Sequence, residues 1–149
     1  MNSRAPLHIV VLICGLFGGW GVRAACMYPD RDLSGYRVPL RTESRSSQMI
    51  AVAEVTRVSA LREDADDPQG VTAYVYDVKM LEVLKGKKSK QIRVRSENTS
   101  SRYFMELGEK HLLFLQHVGS YWYADACDNS APLPDAQAVV IELRHSLRR

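Results

Sequence analysis

"VTAYVYDVKMLEVLKG", residues 71–86, is the stretch on which the fold turns. Tyr74, Tyr76, Val78 and Met80 alternate with Ala73, Val75, Asp77 and Lys79. A period of two over eight residues is the signature of a strand with one face turned inward. After Met80 the apolar pattern slips by one, to Leu81, Val83 and then Leu84. A strand that changes face without ending needs a bulge, and a bulged, bent strand can serve two parts of a barrel. Lys85-Gly86 ends it.

The segments on either side read as more short strands. "QMIAVAEVTRVSAL", 48–61, is rich in β-branched residues, with Ile50 and Val52 on one face and Val55 on the other. A bulge repairs that register too. "REDADDPQG", 62–70, joins the two strands as an acidic turn. Its Asp64, Asp66 and Asp67 lack the Glu and Gly offsets of a calcium loop, so it reads as a solvated hairpin loop. "KKSKQIRVRSE", 87–97, is a third strand with Ile92 and Val94 inward and Arg93 and Arg95 outward. "NTSSRYFMELGEK", 98–110, reads as a connection with a short helical turn over Tyr103–Leu107, stopped by Gly108. "HLLFLQHV", 111–118, is a fourth strand, and "GSYWYADAC", 119–127, a fifth, joined through a turn at Gly119-Ser120.

The close of the chain, "PLPDAQAVVIELRHSLRR", is helical. Ala136, Val139, Val140, Leu143 and Leu147 fall on one face. Pro134 suits the first turn, Asp135 the positive end, and Arg144, His145 and Arg148 the negative end. The lead-in, 27–47, carries two prolines and a glycine and reads as irregular or partly helical. Five short strands and a closing helix predict an all-β fold: a five-stranded Greek-key barrel of the oligonucleotide/oligosaccharide-binding type with a C-terminal helix.

Residues 1–24 read as a secretory signal peptide. Arg4 supplies the positive start, "PLHIVVLICGLFGGWGV" the apolar stretch, and Ala24 and Ala25 the small residues around the cut. Cleavage after Ala24 leaves a single domain, 25–149, in a secreted or periplasmic setting. Removal of Arg4 and Arg23, with no acidic residue lost, lowers the net charge from +3 to about +1. A near-neutral domain has no electrostatic footprint for nucleic acid. A membrane attachment is expected only if the signal is uncleaved or Cys26 is lipidated. Cys14 leaves with the signal, so Cys26 and Cys127 remain, and in an oxidising compartment two cysteines pair. Closing a loop of roughly 100 residues is worth about 4–5 kcal/mol in the chain-entropy picture.

Catalytic chemistry is hard to find. His111 and His117 share a strand face but stand about 20 Å apart at the usual rise per residue, too far to share a metal. Two cysteines without matching histidines fall short of a tetrahedral metal site. "GKKSK" lacks the upstream glycine of a phosphate loop. No catalytic set and no cofactor is therefore expected. The best binding candidates are Arg93 and Arg95, beside Lys87, Lys88 and Lys90, with Tyr121 and Tyr123. Aromatics on an exposed sheet face can stack on bases or sugars. The other reading of Tyr121, Trp122 and Tyr123 is core filling.

Together these pieces resemble the barrel domain of the tissue inhibitors of metalloproteinases and its bacterial relatives, the netrin-like family. The resemblance rests on Ala25-Cys26 after a signal peptide and on Tyr74-x-Tyr76-x-Val78-x-x-Leu81-x-x-Leu84-Lys85-Gly86. It rests also on Leu107-Gly108-Glu109-Lys110-His111-Leu112-Leu113-Phe114, and on Trp122, Cys127 and Pro132-Leu133 before a helix. It covers most of residues 25–145. In that family the first mature cysteine chelates a protease zinc through its α-amino group and carbonyl. The resemblance thus implies a zinc-chelating role for a mature N-terminal Cys26. Two departures bear on it: Tyr28 stands where the family has a second cysteine, and "SSRYF", 100–104, stands where it often has Cys-Gly-Phe. Three readings follow. The first is an exported, non-catalytic module that binds a protein partner. The second is a metalloprotease inhibitor acting through Cys26. The third is a polyanion or sugar binder using the Arg93/Arg95 face.

Overall fold

The computed structural model of the chain describes residues 27–28, 31–34, 38–100 and 102–147; the expected signal peptide and Cys26 lie outside them. A small ladder of β1 (Met27–Tyr28) and β2 (Arg31–Ser34) precedes helix α1 (Leu40–Ser46). Then come β3 (Met49–Leu61), β4 (Ala73–Lys85), β5 (Gln91–Glu97), β6 (Lys110–Val118) and β7 (Tyr121–Tyr123). A two-residue β8 (Ala131–Pro132) leads into helix α2 (Leu133–Ser146). The main sheet runs β3-β4-β5-β7-β6, and β6 pairs again with β3. Five strands therefore make a ring-like sheet, and the fold is mostly β with a C-terminal helix. Every ring pairing is antiparallel except that of β5 with β7.

The slip in the apolar pattern of β4 is a real change of register. Ala53 stands opposite Met80, Val52 opposite Glu82, Ala51 opposite Val83 and Ile50 opposite Lys85. Leu81 and Leu84 are the extra residues, each a bulge that bends the strand. A third irregularity falls at Thr56, between Val55 opposite Val78 and Arg57 opposite Asp77. Gly86 then turns the chain at φ +99°, where a Cβ would stand 2.6 Å from the Gln48 carbonyl oxygen.

The uneven alternation in β3 has a simple cause, because both faces of its first half are covered. Met49, Ala51, Ala53 and Val55 join Tyr76, Val78, Ile92, Val94, Leu113 and Leu115 inside the ring. Ile50 and Val52 point outward against Leu112, Phe114 and the Ala136, Val140 and Leu143 face of α2. Expectation and structure agree on that helix, including Pro134 in its first turn and Arg144 and His145 in its last. Leu147 is the exception on the expected face, at 37% exposed. No described helix is long and apolar enough to cross a membrane.

Two expectations need correction. Residues 103–107 are not helical: Tyr103 and Met105 are buried in the ring interior while Phe104 and Leu107 face out. That is strand-like alternation leading into a turn, where Gly108 has φ +83°. The fifth strand is also shorter than expected. It ends at Tyr123, because the chain folds into a turn in which Asp125 accepts from the Cys127 N–H and Asp128 accepts from the Asp125 N–H.

Leu143 is 1% exposed and docks α2 on the outside of the ring-like sheet. Leu143→Ala is expected to cost about 2–4 kcal/mol of unfolding free energy by urea titration. Ile141→Ala, on the exposed face of the same helix, is expected to change it by less than about 0.5 kcal/mol.

Candidate binding face

In β5, Ile92, Val94 and Ser96 are buried, so strand alternation turns Arg93 and Arg95 outward as expected. β7 lies parallel beside it, with Trp122 next to Val94 and Tyr123 next to Arg95. Trp122 packs against the interior cluster and meets the His117 ring edge-on at 4.8 Å. Tyr121 faces out, under the Arg93 guanidinium at 4.9 Å and that of Arg95 at 5.8 Å. The structure thus brings together Arg93, Arg95 and Tyr121. Tyr123 instead lines a cleft of about 380 Å³ with Glu97, Arg102 and Asp125.

The two arginines are not equivalent. Arg95 donates from Nε to Glu97 Oε1 and from Nη2 to Glu63 Oε2, both at 2.7 Å. These carboxylates hold the guanidinium pKa above its usual value, Glu97 contributing most. Arg95 is therefore tied up inside the molecule, with its side chain only 15% exposed. Arg93 is exposed and stands opposite Asp77, whose carboxylate lies 3.6 Å from Arg57. Charges of both signs alternate across this face. Lys87, Lys88 and Lys90 sit in the exposed turn before β5.

Three features were missed in the sequence. Arg102 lies over Tyr74 at 5.0 Å and over Phe104 at 5.5 Å, and Phe104 is 54% exposed. His111, buried, bonds the Tyr103 hydroxyl through Nδ1 (2.8 Å) and Glu109 through Nε2 (3.0 Å). Both ring nitrogens are thereby satisfied, and His117 sits elsewhere on β6 against Trp122. The third is a buried polar cluster after Cys127. Asp128 accepts the backbone N–H groups of Asp125 and Ser130. Glu43 of α1 accepts from Asn129, whose amide also donates to the Val38 carbonyl at 2.7 Å. The only advance signal was "DNS", 128–130, a run of residues that bond their own backbone.

Cys127 at the head of this turn is not a free thiol, whereas its expected partner Cys26 lies outside the described residues. The zinc-chelating role implied for Cys26 lies outside them too. Among the described residues no group of three or more His, Cys, Asp or Glu could hold a metal ion.

Burial moves the Asp128 carboxyl from 3.8 to about 7, with nearby Glu43 adding to the rise. It raises Glu43 as well. An acid whose pKa rises on folding stabilises the fold fully below its unfolded value, and that contribution is lost as pH climbs toward the folded one. Glu63, lowered by Arg95, and Glu109, lowered chiefly by the Glu106 N–H, act oppositely, losing their contribution as pH falls below the carboxylate range. The melting temperature is expected to peak near about pH 5 and decline toward about pH 7.5. Asp128→Asn should flatten that decline, and an unchanged slope in this variant would refute the assignment.

No protein-family model matches the chain, and no curated protein matches it significantly.

Proposed function

We propose that the chain is an exported, non-catalytic binding module that recognises a protein partner. Its ring is read as a Greek-key barrel of the oligonucleotide/oligosaccharide-binding type, similar to the netrin-like domain of the metalloproteinase inhibitors. The strand order supports this. Three strands follow one another, the fourth returns to pair with the first, and the fifth fits between third and fourth.

The observation that carries the functional reading is Arg93 lying over Tyr121, beside an Arg95 whose charge Glu63 and Glu97 already counter. Arg and Tyr are the residues on which protein interfaces concentrate their binding energy. A polyanion site needs a surplus of free cations instead. On this face Arg95 is neutralised by Glu63 and Glu97, which argues against the polyanion reading. A Cys26–Cys127 disulfide would join the mature N-terminus to the turn that holds α1.

A photo-crosslinking residue at Tyr121 of the exported chain is expected to trap a discrete protein adduct. The same residue at Asp66, in the acidic loop, should not, and Arg93→Ala should abolish the adduct. Retention on heparin that disappears in Arg93→Ala would instead favour the polyanion binder. Intact mass should place the mature start at Ala25. Both remaining cysteines should react with a thiol probe only after reduction.

A further inference from the structure

A concave site of the helices lies away from the Arg93–Tyr121 face. It is a groove of about 710 Å³ between α1 and the end of α2. Leu40, Leu143 and Leu147 give it an apolar floor, and Arg41, Arg45 and His145 line it with Glu142 as the one acid among the described lining residues. A volume in this range suits a few side chains of a peptide or a small ligand.

Which of the surrounding cations are free decides what the groove would take. Lys85 is committed: its Nζ donates to the carbonyls of Ser44 and Arg45, at 2.8 and 2.7 Å, closing the C-terminal end of α1. Arg144 is committed to Glu82, with Nε at 3.1 Å from Oε1. Arg41 and Arg45 are exposed, and no described carboxylate pairs with either. The contrast with Arg95 is direct. Arg95 draws its counter-charges from Glu63 and Glu97, whereas at this groove no described carboxylate serves Arg41 or Arg45.

We infer that the α1–α2 groove is a docking site for an acidic peptide segment of a partner protein, with a Leu-like anchor over Leu40 and Leu147 and carboxylates on Arg41 and Arg45. This rests on the reading that the chain binds a protein, but it uses a different surface from the Arg93–Tyr121 face. Charge complementarity selects the partner's sign, and the concave apolar floor selects an inserted side chain over a flat lipid surface. The contacts at the rim would be sensitive to salt, because exposed charges are screened over about 8–10 Å at ordinary ionic strength.

The test pans the folded chain against a displayed library of random dodecapeptides. Enriched peptides are expected to carry several Asp or Glu residues around one large apolar residue. The best of them, titrated by fluorescence anisotropy, should bind at least about tenfold more weakly to Arg41→Glu/Arg45→Glu, and more weakly as salt rises. Both sites are exposed, so the double variant should melt like the parent; Leu147→Asp gives a second, charge-based probe of the floor. Arg93→Ala should leave peptide binding unchanged while abolishing the crosslink from position 121, which separates failure here from failure of the first face. The inference is overturned if no acidic consensus emerges, or if the double charge reversal leaves peptide affinity intact. It is overturned as well if the chain instead floats with phosphatidylglycerol vesicles in a manner that Arg41→Glu/Arg45→Glu abolishes.

Discussion

The closing pair of the ring, β3 with β6, is the contact on which the rest depends. β3 meets β4 along Ile50–Leu61, but it meets β6 only along Met49–Glu54. Its burial follows that division. From Met49 to Val55 the strand is buried almost throughout, and from Thr56 to Ala60 it is exposed. β4 mirrors it: Ala73–Lys79 pairs with β5 on its second edge, and the bulged half beyond does not. Each long strand thus shares one half with a second neighbour. A sheet of five strands can close only if such strands bend, and the extra residues Leu81 and Leu84 lie in the part of β4 that faces the doubly paired half of β3. The same bend lets Met80 and Val83 serve the interior while Leu84 turns to the α2 side.

Once the ring is closed, its outer surface divides into two electrostatic regimes. On β5, Arg95 takes its counter-charges from within the molecule, Glu97 two residues along and Glu63 from the β3–β4 loop. Such exposed pairs add little to stability, but they remove Arg95 from competition for outside anions. Beside α1 and α2 the internal pairs are Arg144 with Glu82 and Lys85 with helix carbonyls, and the arginines of α1 lie beyond both. Two arginine-bearing surfaces that look alike in composition therefore differ in what remains for a partner.

Much of this was legible in the residues because it is periodic. Alternation placed Arg93 and Arg95 outside and Val94 inside, and 3.6-residue spacing placed Val140 and Leu143 against the barrel. The slip after Met80 announced a bulge. What failed was local competition between equally plausible conformations. Tyr103, Met105 and Leu107 fit one turn of helix on apolarity alone; the ring interior takes Tyr103 and Met105 in an extended chain, with the Tyr103 hydroxyl bonded to His111. Residues 124–127 looked like strand, yet Asp125 and Asp128 capture backbone N–H groups that a ladder would need. One carboxylate neutralising Arg95, Glu97 two residues along the same strand face, is local; the other, Glu63, is 32 positions away, and no local pattern encodes it.

Helix α1 shows how these contacts combine. Its seven residues are too few for stability in water without outside support. Support arrives from every side. Lys85 and Gln116 donate to the carbonyls at its C-terminal end, and Asn129 donates to Glu43 and to the Val38 carbonyl just before it. Those donors come from the end of β4, from β6 and from the turn after Cys127, so α1 depends on the ring and that turn for its support. Burying Glu43 next to Asp128 is costly for two carboxyls, which is why both prefer to hold their protons. The return is positional: the cluster ties α1 to the turn that leads through β8 into α2.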